Sequence, residues 1–236
     1  MGLLTVVRHG QASFLQDDYD RLSPLGERQA RALGEFWVAR NVVYDRVYTG
    51  PARRQSGTER IVAECYREAG RVWPEPVFLP EFDEYPGIEV VRAFLPGLIE
   101  RHEDVRALDE QFRAASEFGA AARAFEKMFQ RVTRLWVSGE LDSPDIETWA
   151  DFCSRVQQGI AKIREQGGRA VLFTSGGVMA ATARIALDLP PMRTLELSWA
   201  PRNAAYSDFL FSGDRFSLSS FNCHPHLDTA DLLTWR

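Results

Sequence analysis

The N-terminal stretch Leu3-Leu4-Thr5-Val6-Val7-Arg8-His9-Gly10 sets the class of fold. Its first five residues form a short apolar, β-branched run, which is typical of a strand buried on both faces of a parallel sheet. Arg8-His9-Gly10 then ends this run with two basic residues and a glycine. The sequence therefore predicts a buried first strand whose carboxyl end carries ionisable side chains.

Further strands and helices are predicted to follow in alternation. The strand candidates are 46–49, 77–79, 170–174, 195–198, 205–211 and 216–221. The first helix opens at Ser23-Pro24, with serine as N-cap and proline at the first helical position. Strands that alternate with helices indicate an α/β protein, and we expect a three-layer α/β/α arrangement around a mostly parallel open sheet.

A different pattern occupies the middle of the chain. Between about 87 and 143, apolar residues recur at helical spacing among arginines and glutamates, as in Phe125, Phe129, Val132 and Trp136. This spacing predicts helices rather than strands. We interpret the stretch as a helical cap inserted over the C-terminal ends of the strands, within a single domain spanning 1–236.

Composition excludes several classes of protein. The 236 residues carry a net charge of −5, which argues against a nucleic-acid or acidic-membrane partner. No apolar run approaches the roughly 18 residues of a membrane span. Three widely spaced cysteines and four scattered histidines indicate reduced thiols and no metal site. We predict a cytoplasmic protein without metal or cofactor, and its oligomeric state stays open.

Four predicted strand ends carry unusual side chains. They are Arg8-His9-Gly10, Arg53-Arg54, Glu81 and Ser175-Gly176-Gly177. Ligands of open α/β sheets bind outside the carboxyl ends of the strands, so we expect these groups to lie together.

Each group has a chemical use and a plainer interpretation. His9 can present a neutral ring nitrogen to an electrophile, or it can be an ordinary buried histidine. Arg54 near a helix N-terminus suits a phosphate dianion, although most arginines form surface ion pairs. Glu81 can protonate a leaving oxygen, and Asp83 and Glu84 are its rivals for that role.

Several motifs together resemble the histidine phosphatase superfamily, which has the phosphoglycerate-mutase-like fold. Val6-Val7-Arg8-His9-Gly10-Gln11 matches the opening motif of that family, and the segment 22–30 matches its "L-S/T-x-x-G-x-x-Q-A" helix start. The segment 48–58 matches "S-S-P-x-x-R-x-x-x-T", and Leu79-Pro80-Glu81 matches "L-x-E". The resemblance covers the first third of the chain and 170–203.

The resemblance implies a role for each matching residue. His9 is the nucleophile, Arg8 and Arg54 hold the phosphate, and Glu81 is the general acid. Ser175 and Gly176 are expected to contact the phosphate as well. From their position we also expect contacts from Gln11 and Ser13, at the edge of the pocket.

One position departs from the family pattern. The family reads "S-H-G-G" where this chain has Thr174-Ser175-Gly176-Gly177, so Ser175 stands in place of a histidine. A hydroxyl donates one hydrogen bond but carries no positive charge, and a charge-assisted contact is worth about 1.5–3 kcal/mol. We expect reduced activity, unless His224 or His226 compensates.

Three functions are compatible with these residues. The first is hydrolysis of a phosphomonoester through a phosphohistidine at His9, without metal, on a small phosphorylated metabolite. The second is a phosphate-binding module with weak or lost catalysis, which Ser175 suggests. The third is a phosphoglycerate-type mutase, in which arginines of the predicted cap would grip a second acidic group.

Overall fold

The computed structural model describes residues 1–13 and 20–235, and it confirms the predicted α/β class. The strands are β1 (Gly2–Arg8), β2 (Arg46–Thr49), β3 (Pro76–Phe78), β4 (Arg169–Thr174), β5 (Tyr206–Ser212) and β6 (Arg215–Cys223). The helices are α1 (Pro24–Ala39), α2 (Arg53–Glu68), α3 (Gly87–Arg101), α4 (Glu103–Ala114), α5 (Phe118–Val137), α6 (Trp149–Gln166), α7 (Gly176–Leu187) and α8 (Pro191–Ser198). Two 3₁₀ turns, Pro80–Phe82 and Ala230–Leu232, complete the set.

The strands form one mostly parallel sheet in the order β3-β2-β4-β1-β5-β6. The first four are mutually parallel, whereas β5 and β6 run antiparallel to their neighbours. Every residue of 170–174 in the central strand β4 is buried. Because successive side chains of a strand point to opposite faces, both faces of the sheet are covered, as the three-layer prediction requires.

Two helices build the core on one face of the sheet. Ser23 caps α1, since its Oγ accepts a hydrogen bond of 3.0 Å from the Gly26 N–H. Leu33 and Trp37 of α1 then pack with Val62 of α2 against Phe173 of β4. This packing fixes the two helix N-termini near the carboxyl edge of the sheet, where the predicted site lies.

One predicted strand is wrong. Residues 195–198 lie in helix α8, not in a strand. Pro190-Pro191 does break the preceding helix, but Pro191 also occupies the first turn of α8, where its missing N–H costs nothing. A short apolar run with no clear period does not distinguish helix from strand.

The chain divides into two compact units, Met1–Glu84 with Cys153–Arg236, and Tyr85–Phe152. The first unit contains the sheet. The second holds α3, α4 and α5 and an aromatic cluster in which Tyr85 stacks on Trp136 at 5.9 Å and Trp149 meets both rings edge-on. The predicted insertion 87–143 falls within this second unit, and its placement as a cap stays a prediction. Within the described residues, none of the helices is both long and apolar enough to cross a membrane.

Candidate active site

His9 follows β1 at the carboxyl edge of the sheet, and its backbone is held from two sides. Its N–H donates to the Thr174 carbonyl over 2.8 Å, and its own carbonyl accepts the Ala204 N–H at 3.1 Å. The side chain is only 5% exposed. Position and burial of the residue are therefore set by β4 and by the segment that precedes β5.

The His9 ring has a defined tautomer. Nδ1 lies 2.7 Å from the Gly10 carbonyl oxygen, which can only accept, so Nδ1 carries the proton. Nε2 lies 3.2 Å from Arg54 Nε, which can only donate, so Nε2 presents its lone pair. Burial, helped by the positive charges of Arg54 and Arg8, holds the pKa of His9 well below its usual value, against the opposing effect of the Gly10 hydrogen bond. The ring is therefore a neutral imidazole with an unprotonated Nε2.

The loop after His9 packs directly on the start of α1. A Cβ on Gly10 would lie 2.4 Å from the Gly26 carbonyl oxygen, and one on Gly26 would lie 2.1 Å from the Gln11 carbonyl oxygen. Thr58 accepts the Gly10 N–H at 3.0 Å, and Gln29 accepts the Gln11 N–H at 2.8 Å. Only glycine allows this approach of two backbones, which explains both glycines of the matched motifs.

The two predicted contacts at the pocket edge have local partners. The Gln11 side-chain oxygen accepts the Ser23 hydroxyl at 2.9 Å, at the N-cap of α1. Ser13 is half-buried, and its N–H donates to the Arg21 carbonyl at 3.0 Å. Their predicted role toward phosphate stays a prediction.

Arg54 lies in the first turn of α2 and is oriented by a carboxylate that the sequence did not reveal. Its Nη1 donates to Asp20 Oδ1 over 2.7 Å, while Asp20 Oδ2 accepts the Arg53 N–H at 2.9 Å. The Arg54 side chain is 12% exposed and that of Asp20 is 38% exposed. Asp20 therefore has two roles: it caps α2, and it orients the Arg54 side chain toward His9.

Arg8 and Ser175 border the start of α7. Arg8 donates to the Pro201 carbonyl, and its Nε would lie 3.7 Å from a Cβ placed on Gly176. Ser175 is fully buried, and its Oγ accepts the Gln55 amide at 2.8 Å. A hydroxyl that accepts one hydrogen bond still has a proton to donate, so Ser175 can serve an anion at this helix N-terminus.

Glu81, the predicted general acid, is directed toward α6. Its Oε1 forms an ion pair with Lys162 Nζ. That hydrogen bond lowers the pKa of Glu81, although burial opposes the effect. A carboxyl group held in its ionised form is a poor proton donor near neutral pH.

Glu84, which the sequence offered only as a rival, is the carboxylate that reaches α7. Its Oε2 accepts the Gly177 N–H at 3.0 Å. The preceding Phe82 carbonyl accepts the Thr174 hydroxyl at 2.9 Å, which places this loop at the carboxyl end of β4. The loop therefore brings Glu84 to the same helix N-terminus that Arg8 borders.

A signal for Glu84 was present in the sequence. Phe82-Asp83-Glu84 repeats the apolar-x-Glu pattern of Leu79-Pro80-Glu81 three residues later. Phe82 is completely buried, whereas Leu79 is only half-buried. Of these two apolar residues, Phe82 is therefore the one that packs in the core.

The two C-terminal histidines have local partners of their own. His226 Nε2 lies 3.1 Å from the Ala204 carbonyl oxygen, and its ring stacks on Tyr206. His224 Nδ1 lies 2.7 Å from the Asn222 carbonyl oxygen. Burial lowers the pKa of His226 to about 4. These contacts do not support the prediction that His224 or His226 compensates for the positive charge that Ser175 lacks.

The comparison with protein families covers most of the chain. The model of the histidine phosphatase superfamily, branch 1, matches residues 4–84 and 93–224. The chain belongs to the histidine phosphatase superfamily. This superfamily includes both phosphatases and mutases, and a comparison with curated proteins gives no match.

Solved structures share the histidine phosphatase fold at low sequence identity. A mutant phosphoserine phosphatase of Entamoeba histolytica in complex with phosphoserine is 17% identical, with a TM-score of 0.59 over 96% of this chain and 100% of that one. Mycobacterial glucosyl-3-phosphoglycerate phosphatase is 19% identical, with a TM-score of 0.57 over 94% and 99%. Phosphoglycerate mutase of Bacillus anthracis is 14% identical, with a TM-score of 0.60 over 95% and 94%. At such identities the likeness establishes the fold alone.

Proposed function

We propose that this histidine phosphatase hydrolyses small phosphomonoesters through a phosphohistidine at His9, without a metal ion. The observation that carries the proposal is the position of the two His9 ring nitrogens against their neighbours. Nδ1–H is held by the Gly10 carbonyl at 2.7 Å, and the Nε2 lone pair faces Arg54 at 3.2 Å. A neutral, oriented imidazole beside a guanidinium is suited to attack phosphorus while the arginine holds the phosphate oxygens.

The first half-reaction forms the phosphoenzyme. The His9 Nε2 lone pair forms a bond to phosphorus, and the bond from phosphorus to the ester oxygen breaks in line. Arg54 and Arg8 neutralise the equatorial oxygens, and the Ser175 hydroxyl and the N–H groups at the start of α7 add neutral donors. The Gly10 carbonyl keeps its hydrogen bond to Nδ1 throughout and stabilises the charge that develops on the ring.

We assign the proton transfers to Glu84 rather than to Glu81. Glu84 reaches the N-terminus of α7, whereas the ion pair with Lys162 holds Glu81 ionised. In this mechanism the Glu84 carboxyl gives its proton to the departing ester oxygen. The resulting carboxylate then takes a proton from the water that attacks the phosphohistidine, which releases inorganic phosphate and restores His9.

The charges around the site favour this assignment. Arg8 and Arg54 supply two positive charges, and Asp20 and Glu84 supply two negative ones when both are ionised. An ionised Glu84 repels a phosphate dianion that enters such a site. Protonation of Glu84 removes one negative charge and supplies the proton that the leaving group needs, so one event serves binding and catalysis.

Two other functions remain as alternatives. Ser175 supports a phosphate-binding module, because a neutral hydroxyl replaces the charged histidine of the family motif. The shared fold of the phosphoglycerate mutase supports a mutase, in which the phosphoryl group returns to a retained intermediate instead of water. Release of inorganic phosphate from a simple aryl phosphate distinguishes hydrolysis from both.

The experiment compares leaving groups. We expect the purified protein, in the presence of EDTA, to hydrolyse both 2,4-dinitrophenyl phosphate and phenyl phosphate, and His9→Ala to abolish both activities. Glu84→Gln should lower kcat/KM for phenyl phosphate by about 10²–10⁴-fold, because its leaving group needs a proton. The same variant should lower kcat/KM for 2,4-dinitrophenyl phosphate far less, because dinitrophenolate leaves without protonation.

The matched variant is Glu81→Gln. It should change the ratio of kcat/KM for the two esters far less than Glu84→Gln does, because Glu81 only helps to hold the loop. If Glu81→Gln instead shows the leaving-group selectivity and Glu84→Gln does not, the general acid is Glu81, as the sequence motif first suggested. If His9→Ala retains full activity, the phosphohistidine mechanism is wrong.

A further inference from the structure

One arginine of α6 binds several carbonyl groups of the loop that carries Glu84. Arg155 Nη1 donates to the Glu81 carbonyl at 2.9 Å and to the Asp83 carbonyl at 2.8 Å. Arg155 Nη2 donates to the Glu84 carbonyl at 3.2 Å. One guanidinium thus holds three peptide groups within four residues of the loop.

Two more residues on the same face of α6 meet this loop. Positions 155, 159 and 162 are spaced i, i+4 and i+7, so they share one side of the helix. A Cβ on Gly159 would lie 2.6 Å from the Phe82 ring and 3.0 Å from the Glu81 Cβ, so only glycine permits this approach. Lys162 forms the ion pair with Glu81. This face of α6 is therefore shaped to seat residues 81–84.

We propose that Arg155 is a positioning residue for Glu84, an inference that rests on the proposed role of Glu84 as proton donor. The three carbonyl contacts fix the backbone from which the Glu84 side chain extends to the Gly177 N–H at 3.0 Å. Arginine suits this task because its planar group offers several donors at fixed angles, whereas lysine offers a single point charge. A displacement of about 1 Å in a catalytic group costs on the order of 10²-fold in rate.

The same geometry gives Glu81 a structural use. Its ion pair with Lys162 ties the first residue of the loop to α6, while Arg155 ties the remainder. Glu81 then acts as an anchor for Glu84. This accounts for a carboxylate that matches the family motif in sequence and yet is directed toward a lysine.

The test uses Arg155→Met and Arg155→Lys in the full-length protein, with the two esters described above. We expect Arg155→Met to lower kcat/KM for phenyl phosphate by roughly 10- to 100-fold. For 2,4-dinitrophenyl phosphate the loss should be several-fold smaller, because its leaving group needs no proton. Arg155→Lys should recover only part of the loss. Combining Arg155→Met with Glu84→Gln should cost little more on phenyl phosphate than Glu84→Gln alone.

The matched control is Arg164→Met. Arg164 lies on the same helix and also donates to a backbone carbonyl, that of Gly213 at 2.7 Å, which lies outside the loop. This variant should leave the ratio of the two kcat/KM values unchanged. Thermal unfolding of each variant separates general destabilisation from loss of positioning, and Arg155→Lys carries the test if Arg155→Met does not fold.

The outcomes separate the two proposals. Equal losses on both esters for the Arg155 variants would make Arg155 a structural residue only and overturn the inference. Selectivity in Glu84→Gln but not in either Arg155 variant would also overturn the inference, while leaving the role of Glu84 intact. Absence of selectivity in Glu84→Gln itself would overturn the proposed role of Glu84 first.

Discussion

Replacing Ser175 with alanine measures what a hydroxyl contributes where the family motif has a histidine. Ser175 is fully buried, and its Oγ accepts the Gln55 amide at 2.8 Å. In Ser175→Ala the Gln55 amide keeps its second acceptor, the Phe82 carbonyl at 3.2 Å, so we expect a stability loss of only about 1 kcal/mol. The transition state loses one hydrogen bond from a hydroxyl to a negatively charged phosphoryl oxygen, worth about 1.5–3 kcal/mol. This corresponds to a decrease of roughly 10- to 160-fold in kcat/KM.

The assay is steady-state hydrolysis of phenyl phosphate, with chemical denaturation run in parallel. The control is Thr182→Val, which removes another buried hydroxyl of the same helix region, one that donates to the Val178 carbonyl at 2.8 Å. This control should lose stability without a comparable change in kcat/KM. A loss above about 1,000-fold in Ser175→Ala would exceed a single hydrogen bond to a charged oxygen and refute this account of Ser175, and so would an unchanged kcat/KM.

Three further perturbations follow from contacts around the site. Asp20→Ala should lower stability by about 1 kcal/mol through loss of the α2 cap, and it should lower kcat/KM because Arg54 is no longer steered; unchanged kinetics would contradict the steering role. The depressed pKa of His226, about 4 against its usual 6.5, means that the unfolded chain takes up a proton first as pH falls from 6.5 to 4. The folded state therefore loses up to about 3 kcal/mol over this window, and urea unfolding of His226→Phe should show a flatter dependence on pH. Gly26→Ala should cost about 1–3 kcal/mol because the new Cβ would lie 2.1 Å from a carbonyl oxygen, whereas Gly57→Ala, with 3.4 Å to its nearest neighbour, should cost nothing in the same unfolding assay.

The convergence of the strand ends was predictable from the sequence. The runs before Arg8 and Ser175 are almost purely apolar, which marks them as central parallel strands. In the structure β1 and β4 are adjacent and parallel, with Arg8 in register with Thr174. Parallel neighbours end at the same edge of a sheet, so the residues that follow them meet there. The local sequence pattern was sufficient here, because adjacent parallel strands place the residues that follow them close together.

The partners of these residues were not predictable in the same way. Asp20 meets Arg54 across 34 residues, and no local period links the two positions. Which of Glu81 and Glu84 reaches α7 depends on whether Leu79 or Phe82 enters the core, and both residues are apolar. That choice is made by tertiary packing, with Phe82 fitting against Gly159 of α6. Residues 195–198 were misassigned for a related reason, since four residues are too few to define a period.

The most direct test of the central claim is to trap the phosphoenzyme. Rapid quench of the protein with phosphorus-32-labelled 2,4-dinitrophenyl phosphate, whose leaving group needs no proton, followed by denaturation, should yield protein-bound label. This label should be stable in base and lost in acid, as expected for a phosphohistidine. His9→Ala should carry no label, while Glu84→Gln should retain label longer, because the water that cleaves the intermediate lacks its base. Label of the same stability in His9→Ala would contradict the account. Turnover by the wild type, with no label in the wild type or in Glu84→Gln, would contradict it as well.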